Sequence, residues 1–288
     1  MKENVLHKIR QEMDEFSKGQ KRIANFILDN YDKAAFMTAA RLGKTVEVSE
    51  STVVRFAAEL GYDGYPEMQK ALQEIIRSKL TSVQRMQVSQ TQLDGPDILG
   101  AVMQRDAESI RASIEGVNRK EFSHVVDKLI KAEHIYILGV RSSSFLAGYL
   151  NFYFHLIFKN VILVQNTSAG EIYEQMIHIG PGDVLVGISF PRYSKMVIHA
   201  VELAYERGAE VVAITDSQRS PLFPLATAAL LVGCAALSFV DSMAAPLSLL
   251  NALILAVGRE RMEDASHTFM ELEKLWEKYN IFGKAEDE

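Results

Sequence analysis

The sequence predicts two folds in series: an all-α N-terminal domain over residues 1–80, and a three-layer α/β/α sandwich on a five-stranded parallel sheet over residues 97–288, with its core at about 124–258. Three observations predict this. Up to residue 80 the apolar positions recur at helical spacing. From residue 134 onward, five short and nearly continuous apolar runs are mostly separated by helical patterns, as in buried parallel strands with crossover helices. Between the two parts, residues 81–96 are rich in Ser, Thr and Gln and end in Asp94, Gly95 and Pro96, which reads as a linker.

In the first part, Val5, Ile9, Met13 and Phe16 share one helical face, and Ser17 offers a cap for a second helix carrying Ile23, Phe26, Ile27 and Leu28. Ala39, Ala40, Leu42, Gly43 and Val46 make a short third helix. Only residues 46–49 then remain for a tight turn. Ser49 is a favoured N-cap and Gly61 stands where a helix stops, so residues 49–61 read as one further short helix. Val53, Phe56, Ala57 and Leu60 form its inner stripe, which turns Glu50, Ser51, Thr52, Val54, Arg55 and Glu59 outward. A capped amphipathic helix is common on its own. Two short helices joined by such a turn, the second led by small hydroxyls and an arginine, make a helix-turn-helix whose second helix suits a DNA major groove. Pro66 then opens a helix over residues 67–80 that closes the domain.

The runs 17–28, 35–40, 48–56 and 60–67 closely resemble the N-terminal domain of RpiR/MurR-type bacterial transcription regulators. The resemblance implies a DNA-binding domain ahead of a sugar-isomerase-like (SIS) effector domain. The residues expected to meet DNA are Lys44, Ser49, Ser51, Thr52 and Arg55. The family's turn usually carries glycine where this chain has Glu47; at positive φ a glutamate there is strained, and it brings a negative charge near phosphates.

Composition sets bounds on function. The net charge of −6 is unevenly spread: residues 1–80 carry 13 Lys+Arg against 12 Asp+Glu, and the remainder 18 against 25. Phosphate contacts must therefore come from local placement of Lys18, Lys21, Arg22, Arg41, Lys44 and Arg55, doubled if the chain dimerises. The single cysteine, Cys234, excludes an internal disulfide and fits a reducing cytoplasm. The N-terminus carries no charged-then-apolar leader pattern, and the apolar stretches 145–158 and 244–258 are too short and too interrupted to span a membrane.

In the second part, helical patterns over 97–114 and from Asn118 to about residue 130 precede apolar runs at 134–139, 161–164, 183–189, 210–215 and 228–232. Ligands of open parallel sheets bind beyond the carboxyl ends of the strands. The first run ends in Ser142, Ser143 and Ser144 ahead of a helix over 145–158. The third ends in Ser189, Arg192 and Ser194 ahead of a helix over 196–208, with Lys195 nearby. Hydroxyls and free backbone N–H groups at a helix N-terminus are a ready phosphate site, although one serine cluster alone is more often a cap.

The region from Ile135 to about Val257 looks like the SIS phosphosugar-binding domain, and that resemblance places sugar-phosphate contacts on Ser142, Ser144, Ser189 and Ser194, with Ser143 beside them. Many members carry a small polar residue and a glycine where this chain has Pro191 and Arg192, so Arg192 can clamp a phosphate or a ligand carboxylate. Residues 166–171, Asp216 and Ser217 are further candidates for sugar hydroxyls, and Arg141 for an anion. No metal-ligand spacing, nucleophile triad or nucleotide fingerprint occurs, so no cofactor is expected.

The expected protein is a cytoplasmic regulator with two partners, a double-stranded DNA operator and a phosphorylated sugar or sugar-acid effector. It is at least a dimer, homodimer or homotetramer, with Phe152, Leu156, Phe158 and the apolar helix after Met243 as candidate pairing surfaces. The alternative is a SIS-type aldose-ketose phosphate isomerase, with Glu171, Glu174 or His178 as its base.

Overall fold

The computed structural model describes residues 5–79, 81–90, 97–165, 168–234 and 239–282. The chain divides into two units at Ile98, with the short segment ending at Asp241 grouped with the first. In the first unit, α1 (Val5–Gln11), α2 (Lys18–Asp29), α3 (Tyr31–Ala34), α4 (Ala39–Thr45), α5 (Glu50–Glu59) and α6 (Tyr65–Lys79) share one core of Ile9, Ile23, Ile27, Leu42, Val53, Phe56, Met68 and Leu72. Ser17 and Gln20 cap α2 reciprocally, Thr38 caps α4 and Ser49 caps α5. Lys8 donates to the Leu60 carbonyl at 2.9 Å and so satisfies the C-terminal end of α5. The first helix ends at Gln11, short of the expected Phe16; Phe16 still packs inward, its ring 5.0 Å from that of Phe56.

The segment read as a linker contains a helix, α7 (Ser82–Gln90). Thr81 and Gln84 cap its start: Thr81 N–H donates to Gln84 Oε1 at 2.9 Å and Gln84 N–H to Thr81 Oγ1 at 3.3 Å. Arg85, buried on this helix, pairs with Asp241 of the same unit. Residues 91–96 lie outside the described residues.

The second unit holds α8 (Ile98–Gly116), α9 (Arg119–Lys131), β1 (Ile135–Gly139), α10 (Ser143–Ile157), β2 (Val161–Leu163), α11 (Ala169–Gln175), β3 (Val184–Ile188), α12 (Lys195–Glu206), β4 (Glu210–Thr215), β5 (Ala228–Leu231), α13 (Ala244–Glu260) and α14 (Met262–Tyr279). The five strands form one parallel sheet in the order β2-β1-β3-β4-β5. Alternate side chains go to opposite faces. Ile135, Ile137, Val184, Val186, Ile188, Val212 and Ile214 meet α9, α10 and α13 on one side. Tyr136, Leu138, Leu185, Val211 and Ala213 meet α11 and α12 on the other. Both faces are covered, which is why the strands read as continuous apolar runs.

Chain order reverses between β1 and β3, because β1 leads outward to β2 and β3 leads outward to β4. The crevice at the carboxyl ends of those two strands is the place where this topology opens. Helix α10 begins so close to β1 that a Cβ on Gly139 would lie 2.3 Å from the Ser143 carbonyl oxygen. Glycine is required there. Phe158, one of the candidate pairing residues, is buried in the core, whereas Phe152 is exposed and Leu156 half-buried.

Two outcomes follow from this packing. Gly139→Ala is expected to cost about 3 kcal/mol or more in denaturant unfolding, since backbone must move, while Gly148→Ala in α10, where an added Cβ meets nothing within 4 Å, is expected to be neutral or slightly stabilising. The Tyr65 hydroxyl donates to the Met37 carbonyl at 2.7 Å, and burial pushes its pKa up to about 12 from 10.0. The folded state holds that proton more tightly than the unfolded chain, so the contribution is complete below pH 10 and is lost as pH rises through about 12. Tyr65→Phe is expected to cost about 1 kcal/mol near neutrality and to flatten this alkaline loss in a melting series.

Candidate functional site

The first candidate face is built on α5. Ser49 Oγ accepts from the Thr52 N–H at 3.2 Å and lies 2.8 Å from both Ser51 Oγ and Thr52 Oγ1. Three hydroxyls thus form one bonded cluster at the helix start. Ser51 and Arg55 are exposed, one turn apart, and Arg55 Nε lies 3.4 Å from the Ser51 carbonyl. Thr52 is half-buried, and Val54 is 42% exposed, leaving an apolar contact beside the polar ones. An exposed helix start with small hydroxyls, one methyl-bearing side chain and one guanidinium can approach base edges closely and grip a guanine.

The turn before α5 is set by two residues. Val48 N–H donates to the Gly43 carbonyl at 2.8 Å, and a Cβ on Gly43 would meet the Val48 oxygen at 2.8 Å, so only glycine allows α4 and the turn to close. Glu47 stands at φ 54, the left-handed region its sequence position implied. Helix α2 abuts the same spot: a Cβ on Gly19 would touch Val48 Cγ1 at 3.6 Å and Thr52 Cγ2 at 3.7 Å. Lys18 and Arg22, both exposed on α2, therefore stand beside the start of α5, and Arg22 reaches Glu47 at 3.4 Å. Arg41 and Lys44 are exposed on α4, and Lys21 is half-buried.

The second candidate face lies at the β1–β3 crevice. After β1, Arg141 takes φ 60 and its carbonyl accepts both Ser144 N–H at 3.0 Å and Ser144 Oγ–H at 2.6 Å. Ser142 is exposed and its hydroxyl caps nothing, while Ser143 is buried at the helix start. After β3, Ser189 N–H extends the sheet by donating to the Ile214 carbonyl at 3.1 Å, and Arg192 takes φ 71. Ser194 stands at the N-cap position of α12 with its side chain uncommitted to capping. The two loops repeat one construction: a strand end, an arginine at positive φ, then serine at a helix N-terminus. Both arginines are exposed. The hydroxyls of Ser142 and Ser194, with the helix-start N–H groups, are the donors a phosphate needs.

Tyr193 and Thr215 had not been singled out, and the partner of Tyr193 is the candidate Asp216. Tyr193 donates to Asp216 Oδ1 at 2.6 Å, which ties the β3–α12 loop to the end of β4, and Thr215 is buried beside it. An aspartate directly after a strand and a tyrosine in the neighbouring loop were the available signals. Asn166 and Thr167 lie outside the described residues. Ser168 is engaged as the cap of α11, accepting from Glu171 N–H at 3.2 Å. Glu171, Glu174 and His178, the bases an isomerase would need, are all exposed. A cavity of about 240 Å³ lies elsewhere, among α8, α9 and α13, lined mainly by Ile110, Val117, Phe122 and Leu249. Ser113, Arg119 and Ser248 are the polar residues of its otherwise apolar lining. Among the described residues no group of His, Cys, Asp or Glu could hold a metal ion, and no helix is long and apolar enough to cross a membrane.

Residues 3–79 match the model of the helix-turn-helix domain of the rpiR family, and residues 128–256 match that of the SIS domain. An uncharacterized HTH-type transcriptional regulator of Haemophilus influenzae is 29% identical over 229 residues, covering 76% of each chain. The HTH-type transcriptional regulator HexR of Pseudomonas aeruginosa is 28% identical over 225 residues, covering 76% of this chain and 75% of that one. Among solved structures, the Vibrio vulnificus NanR protein complexed with ManNAc-6P superposes with a TM-score of 0.60 at 26% identity, covering 98% of this chain and all of that one. With an exposed, hydroxyl-capped second helix in front and a serine-lined parallel sheet behind, the chain belongs to the RpiR/MurR-type family of transcriptional regulators, a helix-turn-helix domain followed by a SIS domain.

Proposed function

We propose that the protein binds operator DNA through α5 and that the loops after β1 and β3 bind a phosphorylated sugar or sugar acid that changes its grip on DNA. One observation carries the effector half. Two serine-bearing helix N-termini flank the crevice where the strand order reverses, in a chain similar over 98% of its length to a regulator solved with a sugar phosphate. Ser142, Ser189 and Ser194 hold the phosphate, with Ser143 contributing backbone, while Ser144 braces the turn through its two bonds to the Arg141 carbonyl. Arg141 and Arg192 supply the guanidinium charge, and Arg192 can take a phosphate or a carboxylate in a bidentate manner. On DNA, Ser51 and Arg55 meet base edges, while Lys18, Arg41 and Lys44 meet phosphates with Ser49 and Thr52 holding the helix start.

The protein acts as a cytoplasmic homo-oligomer, because one recognition helix reads too few base pairs. Two half-sites about 34 Å apart, or a multiple of it, are the geometry expected of a dimer. The exposed Phe145 and Phe152 of α10 and Leu255 of α13 supply an apolar surface for pairing. The effector domain senses its ligand without turning it over, the role that fits the helix-turn-helix domain ahead of it and the regulator names of its relatives.

Arg55→Ala is expected to weaken operator binding by roughly ten- to a hundredfold in a mobility-shift titration, the loss of one bidentate base contact. Unchanged binding would remove α5 from the role. In a thermal-shift screen against phosphorylated sugars and sugar acids, a ligand at 100 times its dissociation constant should stabilise the native protein by ~2.7 kcal/mol. Ser142→Ala and Ser189→Ala are expected to abolish that shift while melting normally without ligand. Turnover of an aldose or ketose phosphate by the pure protein would instead favour the isomerase.

A further inference from the structure

The turn ahead of α5 carries a charge that works against the face it belongs to. Glu47 is held at φ 54, where a side chain is strained and glycine would not be. Its side chain is 83% exposed, so packing does not hold it there. What it meets is Arg22: the guanidinium Nη1 lies 3.4 Å from both Glu47 Oε2 and the Glu47 carbonyl oxygen. Arg22 sits one turn along α2 from Lys18, and Gly19 between them abuts Val48 and Thr52. The pair therefore stands at the rim of the α5 N-terminus, where the backbone of a duplex meeting Ser51 and Arg55 has to pass.

We propose that Glu47 is an internal competitor for DNA phosphate: it occupies Arg22 and holds operator affinity below what the rest of the face would give. An ion pair this exposed contributes little to the fold itself. Beside a duplex it matters more, because a phosphate can take Arg22 only by leaving the Glu47 carboxylate unpaired among other anions. The consequence is one phosphate contact fewer, a lower affinity, and a shallower dependence on salt. The inference rests on α5 being the DNA-reading helix.

The test uses the full-length protein and a duplex that the native protein enriches from a random-sequence pool, with dissociation constants measured over a series of salt concentrations. Glu47→Gln, which removes the charge and keeps the strained backbone, is expected to tighten binding by about three- to tenfold. It should also steepen the slope of log K against log salt by about 0.9, the share of one phosphate. Glu47→Gly is expected to do the same and also raise the melting temperature, since the strain goes with the side chain. Arg22→Ala should change native affinity less than twofold and cancel the gain when combined with Glu47→Gln. An unchanged affinity and slope in Glu47→Gln would overturn the proposal. So would an equal loss from Arg22→Ala in both backgrounds, which would mean that Arg22 already grips phosphate. If no duplex is enriched, or Arg55→Ala leaves binding intact, the DNA-reading role of α5 fails and this inference with it.

Discussion

Among the described residues, three helices start just after a non-glycine residue held at positive φ. Glu47 precedes the Ser49 cap of α5, Arg141 precedes the Ser142 start of α10, and Arg192 precedes the Ser194 start of α12. Of the described non-glycine residues only Asn280, at the end of α14, shares that conformation. A left-handed residue turns the chain sharply. The helix then starts with its unpaired N–H groups and its serine facing outward, not into a preceding strand or helix. Strain of this kind persists only where surrounding structure over-determines it. Here the determinants are visible: Gly43 lets the α4–α5 turn close to 2.8 Å, and Gly139 lets α10 begin against the end of β1.

The same physics recurs at both proposed anion sites. On α5 the open helix start and its hydroxyl cluster belong to the surface proposed to meet DNA; on α10 and α12 they flank the crevice proposed to bind a sugar phosphate. The charge around each start sets the difference. The crevice carries an arginine at each left-handed position, which adds attraction where the ligand is small and must be held by few contacts. The DNA face carries a glutamate at the equivalent position and relies on cations from α2 and α4. A domain with a net charge near +1 over its first 80 residues can bind DNA only through such placement, and its affinity should fall steeply with salt.

Much of this was legible before any coordinates. The five strands declared themselves because both faces of the sheet are buried, and α2, α5 and α9 because Ser17, Ser49 and Asn118 are caps ahead of a periodic apolar stripe. Helices α3 and α14 were not anticipated, nor were α7 and α11, since neither of the latter two has a full apolar stripe to set a period. Each nevertheless opens on a capping signature, Thr81 with Gln84 and Ser168 with Glu171, whose side chains bond back to the start of the helix or accept from it. The signal lay in the caps. At the strand-end crevice the sequence singled out the loops after β1 and β3 but could not rank three consecutive serines. Only the close approach at Gly139 makes Ser143 buried and leaves Ser142 exposed. The Tyr193–Asp216 tie joins residues 23 apart across two strands and has no local signature.

The central claim is that one anion's binding at the strand ends alters another's binding at α5. It is tested most directly by titrating a fluorescent operator duplex with the protein at fixed salt, with and without a sugar phosphate that shifts the melting temperature. The account predicts a change in operator dissociation constant of about 5- to 150-fold, matched by an equal change in ligand affinity when operator is present. An operator affinity unmoved by saturating ligand would contradict it.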